Sequence, residues 1–91
     1  MKYSHKVTSD SFEGIPVLYI EGDMTSESDR EVRQVFAKIS ESKPIEKLII
    51  NFEKTQYINS SGIATLINII QSVNEVHGEI AFVALSDHFQ K

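Results

Sequence analysis

Apolar and polar positions change period along this chain, and the changes mark its elements. Tyr3, His5 and Val7 alternate with Ser4, Lys6 and Thr8, the pattern of a half-buried strand. Ser9 to Gly14 supplies turn chemistry, and Ile15 to Ile20 is a stronger strand. The short link between the two predicts an antiparallel hairpin. Pro16 has no N–H, which puts it at the strand start or on an unpaired side. Gly22-Asp23-Met24-Thr25-Ser26 ends that strand. Thr25 or Ser26 can cap the helix that follows, with Glu27, Ser28 and Asp29 in its first turn, where negative charge is favoured. Val32, Val35, Phe36 and Ile39 fall at i, i+3, i+4 and i+7, one apolar stripe. Ser40 to Pro44 reads as a loop, because the residue before a proline resists helix.

Leu48-Ile49-Ile50-Asn51-Phe52 is a short apolar run, the mark of a strand buried on both faces. Asn59 to Gly62 then punctuates the chain. Ile63, Leu66, Ile67, Ile70 and Val73 follow at helical spacing, and Gly78 stands where a helix C-cap belongs. Asn59 or Ser60 can cap this second helix. Glu79 to Leu85 reads as one more buried strand. The order β-β-α-β-α-β predicts a single α/β domain over residues 1–91. Its sheet is expected to be mixed, mostly parallel and four-stranded, with helices packed on it. In such sheets the working surface lies beyond the strand carboxyl ends, where the Asp23–Ser26 and Glu53–Ser61 loops should meet.

Composition narrows the function classes. With 41% hydrophobic and 24% charged residues the chain is an ordinary globular one. Its net charge of −4 argues against a nucleic-acid partner. There is no Cys, so disulfides, thiolate chemistry and Cys-zinc sites are excluded. No signal peptide is visible, and no apolar run approaches the ~20 residues of a membrane span. A cytoplasmic location away from membranes is expected.

Little of the remaining chemistry points to an enzyme. Ser60 and Ser61 sit in no Gly-x-Ser-x-Gly elbow, and no His is placed to serve as their base. His5, His77 and His88 are too scattered for a metal site, and the isolated glycines make no phosphate loop. Glu21, Asp23 and Glu53 read as a solvated rim. What stands out is a hydroxyl-rich helix start. A helix N-terminus carries unpaired N–H groups and about half a positive charge, so it can hold a cap or a phosphate.

At Asn59-Ser60-Ser61-Gly62-Ile63, preceded by the Leu48–Phe52 strand, the chain resembles the STAS domain of bacterial anti-sigma factor antagonists. The resemblance extends back through Ile15 to Met24 and forward through Gly78 and the last strand. It implies a non-enzymatic, cofactor-free binding module that regulates transcription. Ser60, the first Ser of the pair, would be phosphorylated by a partner that is both serine kinase and anti-sigma factor. Unphosphorylated antagonist binds that kinase and frees the sigma factor; a phosphatase resets the phosphorylated form. The implied partner surface comprises Asp23, Thr25, Ser26, Asn59, Ser60, Ser61 and Gly62. Asn51, Asn59 and Thr25 stand where the family commonly has Asp, which lowers the negative charge around Ser60.

The alternative is a non-phosphorylated structural STAS module in a lipid-transport or sensory assembly, with Ser60 no more than a cap. A further expectation concerns the last residues. Ser86-Asp87-His88-Phe89 looks like the cap and first apolar position of another helix, apparently truncated after Lys91. The sheet face such a helix would cover should then be partly bare, so that the chain self-associates, most simply as a two-fold homodimer using that face or by swapping an element.

Overall fold

The computed structural model describes residues 5–41 and 44–83. The order of elements is β1 (His5–Phe12), β2 (Ile15–Met24), α1 (Ser26–Ser40), β3 (Lys47–Asn51), β4 (Thr55–Ile58), α2 (Ser60–Glu75) and β5 (Glu79–Val83). The expected helix start at Ser86–Phe89 lies outside the described residues. Among those described, no helix is long and apolar enough to cross a membrane.

The α/β architecture is as the sequence predicts, with five strands in place of four. The main path of the sheet runs β1-β2-β3-β5. β1 and β2 are antiparallel; β2–β3 and β3–β5 are parallel. The added strand is β4, read from the sequence as loop. It pairs parallel with the end of β2, from Gly22 opposite Thr55 to Met24 opposite Ile58.

The hairpin is longer and tighter than expected. β1 continues through Ser9–Phe12, and only Glu13 and Gly14 turn the chain. Both have positive φ, 52° and 84°, which is the backbone of a two-residue type I′ turn and matches the twist of the strands it joins. β2 likewise runs on past its expected end, through a register shift at Gly22 and Asp23. Gly22, at φ 81°, is where that bulge needs a left-handed residue.

Leu18 and Ile20 of β2 and Leu48 and Ile50 of β3 are buried beneath Val32 of α1 and Ile69 and Val73 of α2. α1 packs as predicted, with Val35, Phe36 and Ile39 half-buried beside Val32. α2 is rotated from its predicted seat. Its inward face is Gly62, Thr65, Ile69 and Val73, whereas Ile63 and Ile67 are 50% and 48% exposed. Two contacts set this rotation. A Cβ on Gly62 would lie 2.3 Å from the Met24 carbonyl oxygen, so only glycine lets the helix come this close. Thr65 is held by a hydrogen bond to Asp29 across the interhelical seam.

The end of α2 also differs from its reading. His77, not Gly78, takes the left-handed position, at φ 60°. The Gly78 N–H donates to the Val73 carbonyl (2.9 Å) and the His77 N–H to that of Asn74 (2.9 Å), a Schellman ending. Gly78 is glycine for another reason: a Cβ there would meet the Ile45 carbonyl at 2.3 Å.

The rotation of α2 makes opposite demands on two isoleucines of one helix. Ile69→Ala should cost about 2–5 kcal/mol, the range for emptying a packed site, and Ile63→Ala less than about 1 kcal/mol. Urea unfolding of both variants checks this. A larger loss at Ile63 would restore the seat expected from periodicity.

Candidate functional site

The β2–β4 pairing ends at Met24 opposite Ile58. The next residue of each strand, Thr25 and Asn59, is the N-cap of a helix. Parallel register therefore delivers two helix starts side by side. The Asn59 N–H donates to the Met24 carbonyl (3.2 Å), which ties one cap to the base of the other.

At α1 the cap is reciprocal. Thr25 Oγ1 accepts from the Glu27 N–H (3.2 Å), and Ser28 Oγ accepts from the Thr25 N–H (3.0 Å). Glu27 and Asp29 supply negative charge in the first turn. At α2 the Asn59 side-chain oxygen accepts from the Gly62 N–H (2.9 Å), and its carbonyl accepts from the Ile63 N–H (3.0 Å). The cap of α2 is thus Asn59. Ser60 occupies the first helical position with an exposed side chain that capping does not employ. The first turn of α2 has no acidic residue, so nothing within it offsets the positive end of the helix.

Of the residues expected to form a partner surface, Ser26, Ser60 and Ser61 are exposed and Asp23 and Asn59 half-buried. All five lie at or beside the paired helix starts. Thr25 is 6% exposed and Gly62 is buried beneath Met24, so these two shape the surface from below. Asn51 serves a different part of the chain. Its Oδ1 accepts from the Glu53 N–H (2.7 Å) and shapes the loop after β3. His5 pairs with Glu31 of α1 (3.3 Å). Among the described residues no group of His, Asp and Glu is arranged to hold a metal ion.

Two residues here carry a role that the sequence reading missed. The Thr65 hydroxyl donates to Asp29 Oδ1 and joins α2 to α1. The Ser61 carbonyl, 3.1 Å away, is its alternative acceptor. Arg33, one turn along α1, donates through Nε to both oxygens of Asp29 (3.0 and 2.9 Å). The Thr65 bond, aided by the bonds and charge of Arg33, holds the Asp29 carboxyl below its ordinary 3.8, against the opposing pull of burial. The available signal was Thr65 itself, a polar residue inside an apolar helix.

A mixed sheet backed by two helices, with the two helix starts side by side at the ends of β2 and β4, defines a small α/β domain. The chain belongs to the STAS domain family, whose model matches residues 6–91. Comparison with curated proteins gives no match. Among solved structures, the chain is similar to an anti-sigma factor antagonist STAS domain from Rhodobacter sphaeroides. The two are 17% identical, the match covers 88% of this chain and 86% of that one, and the TM-score is 0.67. It is also similar to the Bacillus anti-sigma factor antagonist SpoIIAA. Identity is 15%, coverage 96% and 78%, and the TM-scores are 0.74 and 0.73 for its unphosphorylated and phosphorylated forms. The murine anion transporter Slc26a9 matches at 12% identity and TM-score 0.74, over 87% of this chain and 13% of that one. At these identities the likeness is one of fold.

The Asp29 tie has a sign in pH. Its carboxyl is harder to protonate folded than unfolded, so the stabilisation is fully present above about pH 4 and is lost as pH falls through the lower folded value. Thr65→Val removes the largest cause of the shift. Its unfolding free energy should fall less steeply than that of the wild type as pH drops below about 4. Denaturant titrations across that range decide it, and equal slopes would remove Asp29 from the seam's energetics.

Proposed function

We propose that this STAS domain is an anti-sigma factor antagonist switched by phosphorylation of Ser60. Its partners would be an anti-sigma factor serine kinase, which it sequesters when unphosphorylated, and a phosphatase that resets it. A cytoplasmic location accompanies that role. The observation that carries the reading is the division of labour at the start of α2. Asn59 does the capping, which leaves the Ser60 hydroxyl exposed for another use.

Electrostatics favours Ser60 over its neighbour. Ser61 lies one turn before Thr65 on the same side of α2, the side that meets Asp29. A phosphate there would crowd an existing carboxylate. Ser60 is a residue further round, at a helix end with no acid of its own. A phosphate adds about −1.5 to −2 charges, and at such a helix start it is tolerated or mildly favourable, by ~0.3–1 kcal/mol. SpoIIAA matches this chain almost equally in its phosphorylated and unphosphorylated forms, which supports a switch that leaves the fold alone. The charge would act at the interface, where Asp23, Ser26, Asn59, Ser60 and Ser61 contact the kinase over the support of Thr25 and Gly62.

A second reading, a structural STAS module without phosphorylation, draws on the neutral residues at Asn51, Asn59 and Thr25 and on the fold shared with Slc26a9. One experiment separates them. Purified chain is incubated with ATP and an anti-sigma factor kinase from the same genome, and the modified residue is mapped by mass spectrometry. Phosphate on Ser60 is expected, and Ser60→Ala should abolish it. Ser60→Asp should weaken kinase binding while leaving unfolding stability within about 1 kcal/mol. Phosphate on Ser61 alone, or none from a kinase active on another substrate, rejects the switch.

A further inference from the structure

The far edge of the sheet presents a second surface, unrelated to Ser60. β5 is the last strand of the main path, and among the described residues its only partner is β3. Its backbone directions follow from two bonds. The Glu79 N–H donates to the Glu46 carbonyl (2.9 Å), and the Val83 carbonyl accepts from the Phe52 N–H (3.1 Å). Glu79, Ala81 and Val83 thus direct their N–H and C=O groups toward β3. Ile80 and Phe82 direct theirs outward, to the unpaired side.

Exposed edges are usually guarded by charge or proline. β1, the opposite edge, carries Lys6, Asp10 and exposed serines. β5 has a single charge, Glu79 at one end, and exposes Phe82 at 40% and Val83 at 37%. The helix above continues the apolar surface. α2 turns its Thr65 flank to α1, and Ile63, Ile67 and Ile70 fall on the opposite flank, about 140–200° round the helix. α1 packs on β1 and β2, and α2 on β4 and β5, so α2 is the helix beside the β5 edge and its exposed isoleucines add apolar surface on that side of the domain. From Ser60 to Asn74 the helix has no charged residue.

We propose that this edge pairs with the same edge of a second copy, β5 against β5, antiparallel and with the two-fold axis at Ala81. This register keeps all five residues of the strand in the ladder. Ile80 faces Phe82 of the other copy as a hydrogen-bonded pair, which satisfies the outward N–H and C=O of both. Ala81 meets Ala81 as the non-bonded pair, the one where Cα atoms come within about 4.5 Å and a small side chain fits best. Glu79 falls opposite Val83, so the two carboxylates lie at opposite ends. The helices of both copies then lie on one face of a continuous sheet. The α2 helix of each copy lies on that face beside the seam strand it packs on. The scarcity of charge, one carboxylate at the strand end, selects a second copy as occupant. A two-fold contact sets like residues near like. Here the one charge of the strand, Glu79, falls opposite Val83 and away from its copy, so self-pairing meets no like-charge repulsion. A highly charged partner would find a single carboxylate to pair with.

This edge is independent of Ser60, and its test uses the full chain without a kinase. Sedimentation velocity from micromolar to sub-millimolar concentration should show a concentration-dependent dimer. Ala81 is exposed, so Ala81→Glu and Ala81→Lys should keep the wild-type circular dichroism. Each should weaken dimerisation about tenfold or more, because like charges meet at the axis. Mixing the two variants should restore dimers as a heterodimer, since opposite charges then face each other. A chain that stays monomeric throughout overturns the proposal. So does a dimer unaffected by both substitutions, or a mixture that associates no better than either variant alone.

Discussion

The arrangement of this domain depends on three pairs of residues, the parallel ladder between the end of β2 and β4. It is short, and Gly22 makes it possible: its left-handed backbone re-aims β2 after the β1 and β3 pairings, and its N–H donates to the Lys54 carbonyl (2.8 Å). Thr55 adds a buried hydroxyl bond to the Ile20 carbonyl. With Met24 opposite Ile58, the caps Thr25 and Asn59 have no freedom to separate. Two helix N-termini, each with orphan N–H groups and a partial positive charge, are thereby brought to one corner. Such ends repel mildly and each demands acceptors. The domain answers with Thr25, Ser28 and Asn59 as acceptors and with Glu27 and Asp29 as charge, all but Asn59 on the α1 side.

Helix α2 shows why hydrophobic periodicity alone misplaces a helix. Its isoleucines are so numerous that several rotations bury comparable apolar area, and area by itself gives about 25 cal/mol per Å² whichever side is chosen. The choice falls to steric and polar constraints. Gly62 must face the Met24 carbonyl because a Cβ would overlap it. Thr65 must face α1 to reach the Asp29 carboxylate, a charge-assisted bond stronger than the one its own helix offers at the Ser61 carbonyl. Those two requirements leave Ile63 and Ile67 outside. An apolar flank left in solvent is the by-product, available for an interface.

What could be read from the chain follows the same division. α1 was legible because its apolar stripe, its capping threonine and its acidic first turn all point the same way. The strand–loop–helix around Ser60 was legible because Asn, Ser and Gly have strong local preferences at a helix start, although they left the cap undecided between Asn59 and Ser60. Strand β4 was not legible. Thr55–Ile58 is four residues long and exposes two of them, so neither period nor composition separates it from loop. It exists through its ladder to β2, which is a tertiary fact. The Asp29–Thr65 bond was hidden for the same reason, since it joins residues 36 positions apart. His77 in the left-handed seat shows the limit of residue preference: the close approach to Ile45 claims the glycine for position 78 and leaves the strained position to its neighbour.

The neutral residues at Asn51, Asn59 and Thr25 are consistent with this geometry, because each position requires an oxygen and not a charge. Asn51 accepts from the Glu53 N–H, Asn59 from the Gly62 N–H, and Thr25 from the Glu27 N–H. A carboxylate could make the same bonds and would add about 0.3–1 kcal/mol from each helix dipole. With an amide in its place, the first turn of α2 keeps its positive end unscreened. Negative charge arriving at Ser60 then meets the dipole without a carboxylate at the cap to oppose it. The replacements thus leave the fold unchanged and shift the electrostatics of the corner toward accepting an anion.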